Sequence, residues 1–197
     1  MTTEGGTEGS AGEVAGTAQR RFPVLPVALL ALGIAGLLWS GIQEARSSRP
    51  VTTGQQRQAP AFRMEKFGGG SVSSSELKGK VVMLDFWATW CGPCIAEMPT
   101  LLKLASEYEK QGVVFLAANR DDASVAKVQV GMFIDERAPT LARYAAFADD
   151  ETADVYAVSA IPTMVLIDRK GQVHASYIGA ASERTWRSRI DEVLARD

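Results

Sequence analysis

The sequence predicts a small α/β sandwich built on a mixed β-sheet. Short β-branched apolar runs alternate along the chain with segments whose apolar residues recur at helical spacing. Near the C-terminus two such runs flank the turn at 168–171, which indicates an antiparallel hairpin before a closing helix. At 197 residues, with 46% hydrophobic and 22% charged residues, the chain can hold one such domain and additional segments.

Charge and cysteine content exclude several classes of function. The formal net charge is −2 and no basic block is present, so nothing favours nucleic-acid binding. The two cysteines, Cys91 and Cys94, are too few for a disulfide-stapled scaffold or a four-ligand zinc site. A close pair of thiols with no others in the chain indicates redox use.

The N-terminal part divides into three segments by composition. Residues 1–21 are rich in Gly, Thr, Glu and Ala and predict a disordered segment. Residues 22–42 form an uncharged apolar run of about 20 residues, long enough as a helix to cross a bilayer. This predicts a retained transmembrane signal anchor, because a cleaved signal peptide has only about 7–15 apolar residues. Cleavage after Ser40 and a buried core helix are the alternatives.

The orientation of this anchor is a near tie. Arg20 and Arg21 precede the apolar run, and Arg46 and Arg49 follow it. We expect the domain on the extracytoplasmic (periplasmic) side, because N-terminal anchors commonly precede an exported domain. Residues 43–59 are polar and predict a tether, and residues 60–197 form the domain.

Within the domain, hydrophobic periodicity and turn residues predict each element in order. Strands are expected at 61–67, 71–73, 80–86, 113–118, 144–148, 164–167 and 173–178. Helices are expected from the cysteines to Gly112, from Asp122 or Ser124 to about Ile134, around Val155 and from Ser182 onward. The second helix is expected to turn Val125, Val128 and Met132 inward, and the last to bury Trp186, Ile190, Val193 and Leu194.

The chemistry is expected at Trp90-Cys91-Gly92-Pro93-Cys94, between strand 80–86 and the helix after it. A sulfur at a helix start faces unpaired N–H groups and the positive end of the helix dipole, so Cys91 should ionise readily. Cys94 can close a disulfide with it. Gly92 lets a partner backbone approach, and Pro93 suits the first turn of the helix. The motif therefore predicts a thiol–disulfide exchange site.

Residues 84–94 resemble the active-site strand and turn of the thioredoxins. Glu97, three residues after the second cysteine, and Pro99 resemble the membrane-tethered TlpA/ResA-type members. Residues 59–62 and 77–80 match the extra N-terminal hairpin of that group, and residues 161–163 match the segment with the family's cis-proline. The resemblance implies a thioredoxin fold: a central mixed β-sheet flanked by helices, with an N-terminal β-hairpin extension.

The resemblance also implies roles for individual residues. Cys91 would attack a disulfide of a partner protein and Cys94 would resolve the mixed disulfide. Asp85, ending an apolar strand, is expected to be buried with a raised pKa and to exchange a proton with Cys94. Glu97 would have a similar acid role. The alternatives are an exposed strand-end aspartate and a surface glutamate.

Further residues are expected to contact the partner protein. Trp90 would shield one side of the thiolate, with core packing as the alternative. The resemblance implies a cis Ile161–Pro162 bond, with Ile161 offering its backbone groups to the partner. The Gly92-Pro93 pair, as in thioredoxin, favours a reductant. Protein disulfides and a membrane-embedded thiol electron donor are the expected partners, and no cofactor beyond the redox-active disulfide is expected.

Two departures leave the substrate open. Members specialised for cytochrome c maturation often carry Pro-Glu-Thr where this chain has Pro162-Thr163-Met164, and many tethered members have Asn at the position of Asp85. An apocytochrome, a copper site or another disulfide could be the substrate. The alternative function is copper or metal handling by Cys91, Cys94 and His174, although His174 is expected on a strand surface.

Overall fold

The computed structural model describes residues 50–52 and 57–196. The predicted disordered segment 1–21 and the predicted anchor 22–42 lie outside the described residues, as does much of the tether at 43–59. Within the described ranges, none of the helices combines the length and apolar character needed to cross a membrane.

The described strands form one mixed sheet in the order β1-β9-β8-β5-β6-β7-β3-β4, with β2 also pairing with β9. Their bounds are β1 Pro50–Thr52, β2 Arg57–Gln58, β3 Arg63–Lys66, β4 Ser71–Ser73, β5 Val81–Trp87, β6 Val113–Asn119, β7 Ala145–Phe147, β8 Thr163–Ile167 and β9 Gln172–Ile178. The helices are α1 Gly92–Tyr108, α2 Ala126–Arg137, α3 Asp150–Val155 and α4 Glu183–Ala195, with 3-10 turns at Ser74–Leu77, Glu109–Gln111 and Pro139–Arg143.

Strand β5 is the centre of the sheet. It pairs parallel with β6, from Val81 opposite Val113 to Trp87 opposite Asn119, and antiparallel with β8. All seven of its residues are buried, which explains its nearly continuous apolar sequence: a strand covered on both faces has no solvent side.

Alternation along β5 divides the core into two clusters. Val81, Met83 and Trp87 pack with side chains of α1, α2 and α4. Val82, Leu84 and Phe86 pack on the other face with Phe62, Met64 and Tyr156. Because successive side chains point to opposite faces, Asp85 shares the face of Met83 and Trp87, under the three longer helices.

Strands β3 and β4 form an antiparallel hairpin that joins the sheet through β7. Met64 lies opposite Val72 within the hairpin, and Glu65 lies opposite Phe147 of β7. Met64 is buried in the cluster opposite α1, so the hairpin extends the sheet and also covers part of its core.

The prediction for the inward face of α2 is wrong. Val125, Val128 and Met132 are exposed, and the buried residues are Ala126, Val130, Phe133 and Ile134. Both sets recur at helical spacing, so the apolar pattern does not distinguish them. An aromatic contact determines which set is buried. The centroids of the Phe133 and Trp87 rings lie 5.3 Å apart. With Phe133 packed on the core in this way, Val125, Val128 and Met132 face solvent.

The start of α2 also differs from the prediction. The N-cap position belongs to Val125. The Asp122 side chain instead accepts the Ser124 N–H at 2.9 Å, while its carbonyl oxygen accepts the N–H groups of Val125 and Ala126. The polar cluster therefore forms a turn ahead of the helix.

The closing helix α4 agrees with its prediction. The Ser182 hydroxyl accepts the Thr185 N–H, which caps the helix. Trp186, Ile190 and Val193 are fully buried against the sheet, and Leu194 is half-buried beside them.

Two substitutions in α2 test which face is buried. Val130 is 0% exposed and Val128 is 66% exposed. We expect Val130→Ala to lower the free energy of unfolding by about 1.5–3 kcal/mol, because it leaves a cavity in the core. Val128→Ala should change it by less than about 0.5 kcal/mol. Urea denaturation measures both, and a larger loss at Val128 would contradict the observed helix orientation.

Candidate active site

The two sulfurs lie at the start of α1. Cys91 is the N-cap residue and is joined to Cys94 by a disulfide, with the Cα atoms 5.3 Å apart. The Cys94 N–H donates to Cys91 Sγ at 3.3 Å. Both cysteines are buried, whereas Gly92 and Pro93 between them are exposed. The helix start thus presents the disulfide beneath an open turn.

Local sequence explains why Cys91 takes this position. Strand β5 ends at Trp87, and the Cys91 N–H donates to the Ala88 carbonyl to close a tight turn. The Cys91 carbonyl then accepts the Ile95 N–H as the first bond of the helix. Pro93 stands in the first turn, where its missing N–H costs no hydrogen bond. A thiolate at Cys91 would face the free N–H groups of this turn.

The end of β6 holds the loop before Cys91, through contacts that the sequence patterns do not predict. The Thr89 N–H donates to the Asp121 carboxylate at 3.1 Å, and Asn119 Nδ2 donates to Asp121 Oδ2 at 2.9 Å. The Arg120 N–H donates to the Trp87 carbonyl. One signal was available: the carboxyl ends of parallel strands share an edge, and polar residues 119–122 begin at the last residue of β6 and continue beyond it.

Asp85 is buried, which confirms the prediction and excludes the exposed alternative. Its residue exposure is 1%, and Oδ1 has no hydrogen-bond partner among the described residues. Burial raises the pKa of this carboxyl well above its ordinary value, and the nearby charge of Glu97 raises it further. Folding therefore favours the protonated form.

Glu97 is also buried, so the surface alternative is wrong. Its Oε1 accepts the Ala181 N–H at 2.6 Å and the indole N–H of Trp186. Burial raises the pKa of Glu97, while these two hydrogen bonds and the charge of Arg189 act in the opposite direction. Glu97 thereby connects α1 to the start of α4. It also lies close enough to Asp85 to raise the pKa of that carboxyl.

The Ile161–Pro162 bond is cis, as the resemblance implies. Pro162 is buried, its carbonyl accepts the Gly179 N–H, and Ile161 is half-buried. Thr163 lies opposite Phe86, so the proline stands at the sheet end where β5 runs into the cysteine loop. Trp90 is 69% exposed, which excludes core packing.

His174 does not join the cysteines, and its predicted surface position is wrong. Its side chain is 6% exposed, and Nε2 lies 3.7 Å from Glu192 Oε1 of α4. The residue occupies a bulge where the register between β8 and β9 shifts, in the half of β9 away from the disulfide. Among the described residues, no three His, Cys, Asp or Glu side chains are grouped as metal ligands. This geometry does not support the metal-handling alternative.

Comparison with known proteins agrees with this geometry. The redoxin family model matches residues 54–194. The chain belongs to the redoxin family. It is 31% identical over 165 residues to thioredoxin-like protein YneN of Bacillus subtilis, covering 83% of this chain and 94% of that one. It is 32% identical over 166 residues to the thiol-disulfide oxidoreductase ResA of Halalkalibacterium halodurans, covering 83% and 88%.

Solved structures show the same fold. A structure described as thiol:disulfide interchange protein DsbE from Chlorobium tepidum aligns with a TM-score of 0.60 at 30% identity, over 73% of this chain and 99% of that one. StoA from Bacillus subtilis, at 22% identity, has a TM-score of 0.55 and covers 66% and 96%. The chain is a ResA/TlpA-type redoxin with a thioredoxin fold, and its chemistry is thiol–disulfide oxidoreduction.

The buried carboxyl predicts a pH dependence of stability. Because the folded-state pKa of Asp85 is raised, its contribution to stability is full below the unfolded value near 4 and is lost as pH rises through the folded value. Asp85→Asn cannot ionise. We expect the free energy of unfolding of the wild type to fall relative to this variant above about pH 4, by about 1.4 kcal/mol for each unit of pKa shift.

The matched control is Asp149→Asn. Asp149 caps α3, and its hydrogen bonds with Thr152 lower the pKa of its carboxyl, so its linkage has the opposite sign and acts at acid pH. Denaturation curves from pH 2 to 9 compare the three proteins. Parallel curves for wild type and Asp85→Asn would show that Asp85 is not held protonated.

Proposed function

We propose that this protein is a membrane-tethered, extracytoplasmic oxidoreductase that reduces protein disulfides through Cys91 and Cys94. The observation that carries the proposal is the Cys91 sulfur at the N-cap of α1, in reach of both the Cys94 N–H and the Cys94 sulfur. The relatives named thiol-disulfide oxidoreductase ResA support the same chemistry.

The reaction begins with the reduced dithiol. The Cys91 thiolate attacks one sulfur of a substrate disulfide, forming a mixed disulfide and releasing the other substrate sulfur as a thiolate. Cys94 then attacks Cys91 Sγ, which closes the internal disulfide and releases the second substrate sulfur. Two electrons pass to the substrate, and its two thiolates take up two protons.

The second step requires Cys94 to lose a proton in a buried place. Asp85 lies on the same face of β5 as the residues that pack under α1, and burial raises its pKa. Such a carboxyl holds and releases a proton closer to working pH than an ordinary aspartate. We assign Asp85 the proton exchange with Cys94. Glu97 assists by raising the pKa of Asp85 through its charge.

Substrate docking uses the open surface around the turn. A Cβ built on Gly92 meets no atom within 4 Å, so a partner backbone can approach there. Ile161 precedes the cis-proline at the same end of the sheet and would pair with an extended substrate segment. Trp90 and Pro93 complete this surface with exposed side chains.

The proposed location and partners of the protein are inferred from its sequence. Residues 22–42 would anchor the chain and place residues 60–197 on the extracytoplasmic side, where protein disulfides form. A membrane-embedded thiol donor would return electrons to the disulfide. Apocytochromes of cytochrome c maturation would be one class of substrate, and no cofactor is needed besides the redox-active disulfide.

Insulin reduction with dithiothreitol tests the assigned roles. We expect Cys91→Ser to remove all catalysis above the uncatalysed rate, because the attacking sulfur is lost. Reduced Cys94→Ser, mixed with insulin after the dithiothreitol has been removed, should instead accumulate a mixed disulfide with an insulin chain, since the resolving sulfur is absent. Turbidity measures the rate and non-reducing electrophoresis detects the adduct. A wild-type rate for Cys91→Ser would overturn the proposed function.

A further inference from the structure

A patch of apolar side chains is exposed beside the disulfide. Val125, Val128 and Met132 line one face of α2, and Trp90 stands immediately before Cys91. These four are called the apolar ridge. They account for four of the five large apolar side chains exposed in the described part of the chain, the fifth being Val155.

Contacts link α2, which carries three residues of the ridge, to the strand and loop before Cys91. The Thr89 hydroxyl donates to Gln129 Oε1 at 3.5 Å, and Gln129 lies on α2 between Val128 and Met132. The Phe133 ring packs on Trp87, the last residue of β5, which fixes α2 against the strand that leads into the loop. Scattered apolar residues are normal on a surface, but a contiguous set beside a reactive site marks an interaction surface.

The chain enters the fold at the same end of the sheet. Pro50 of β1 pairs with Tyr177 of β9, next to Ile178, which lies opposite Thr163 of β8. Thr163 in turn lies opposite Phe86, near the end of β5 that leads to Cys91. Pro50 is thus three strand spacings, about 14 Å, across the sheet from β5.

The segment between this entry point and the apolar run is short. Residues 43–49 are the seven residues that separate the end of the run at Ile42 from Pro50. Seven extended residues span at most about 25 Å. In a chain anchored by residues 22–42, the point where the chain enters the sheet is therefore at most about 25 Å, along the chain, from the end of the anchor.

We propose that the apolar ridge is the docking surface for a membrane-embedded protein that supplies thiol electrons to the Cys91–Cys94 disulfide. This rests on the proposed function and adds the surface that recognises the donor. The partner presents an apolar surface and a pair of reduced cysteines near the face of the bilayer.

The small size of the ridge suits a transient contact. Four side chains make a patch below the roughly 1,200 Å² of a stable specific interface, so its intrinsic affinity is low. Two partners held in one membrane meet at a high effective concentration, so low affinity suffices and the oxidised donor can leave.

The electron transfer on this surface is balanced within the two partners. One donor thiolate attacks the Cys91–Cys94 disulfide and forms a mixed disulfide, and the second donor thiolate attacks that bond. The donor ends as a disulfide, and Cys91 and Cys94 end as a dithiol after taking up the two protons that the donor thiols released.

The test uses full-length protein in the membranes of cells that produce it. Val128→Glu combined with Met132→Glu places two carboxylates in the proposed contact, and Val155→Glu on α3 is the matched control. After oxidation with diamide and its removal, alkylation of free thiols follows the return of the dithiol over time. We expect re-reduction to slow about tenfold in the double variant and to be unchanged in the control.

Two further measurements separate the possible failures. Insulin reduction by detergent-solubilised protein with dithiothreitol should be equal in all three proteins, which shows that fold and exchange chemistry are intact. Suppose that wild type and double variant are re-reduced equally fast and that the wild type stays in carbonate-washed membranes. This result would overturn the docking role of the ridge and would leave the proposed function unaffected. Release of the wild type by carbonate would instead show that the protein is not anchored in the membrane, and would contradict both proposals.

A third outcome would identify a different occupant. A benzophenone side chain introduced at Val128 should crosslink, in these membranes, to an integral membrane protein. Crosslinking to lipid alone would assign the ridge to the bilayer surface and overturn the proposed partner.

Discussion

The junction between β5 and α1 is the constraint on which the site depends. A buried strand ends at Trp87, a tight turn follows, and Cys91 takes the N-cap position of the next helix. This places a sulfur where the N–H groups of a helix are unpaired, and puts Cys94 within bonding distance one turn later. Backbone geometry at this helix start thus favours the thiolate form of Cys91 in the reduced protein.

Burial on both sides of the sheet produces the second part of the chemistry. Because β5 is covered on both faces, any acid in it is held away from water, and Asp85 lies beneath α1. Glu97 reaches the same interior from the helix and is held by donors at the start of α4. Raised pKa values in both carboxyls thus come from the packing that also stabilises the fold.

Sequence patterns predicted the features that depend on one strong local signal. Such features are the buried strand β5, the Ser182 cap of α4 and the disulfide between Cys91 and Cys94. Each can be predicted from a few neighbouring residues. The inward face of α2 could not be predicted, because two apolar stripes compete and a tertiary contact of Phe133 chooses between them. The role of Asp121 was not predicted, because it depends on a contact between the end of β6 and the loop after β5. The position of His174 was predicted wrongly, because a bulge in β9 determines its environment.

The pH dependence of alkylation of the reduced protein tests the central claim most directly. The pH at which iodoacetamide reacts at half its maximal rate should lie more than about one unit below the value of about 8.5 for an ordinary cysteine, because the helix start favours the thiolate. Peptide mass mapping should find the label on Cys91, at the helix start, and not on Cys94, one turn into the helix. Half-maximal reaction at pH 8.5 or above, or equal labelling of both cysteines, would contradict the account.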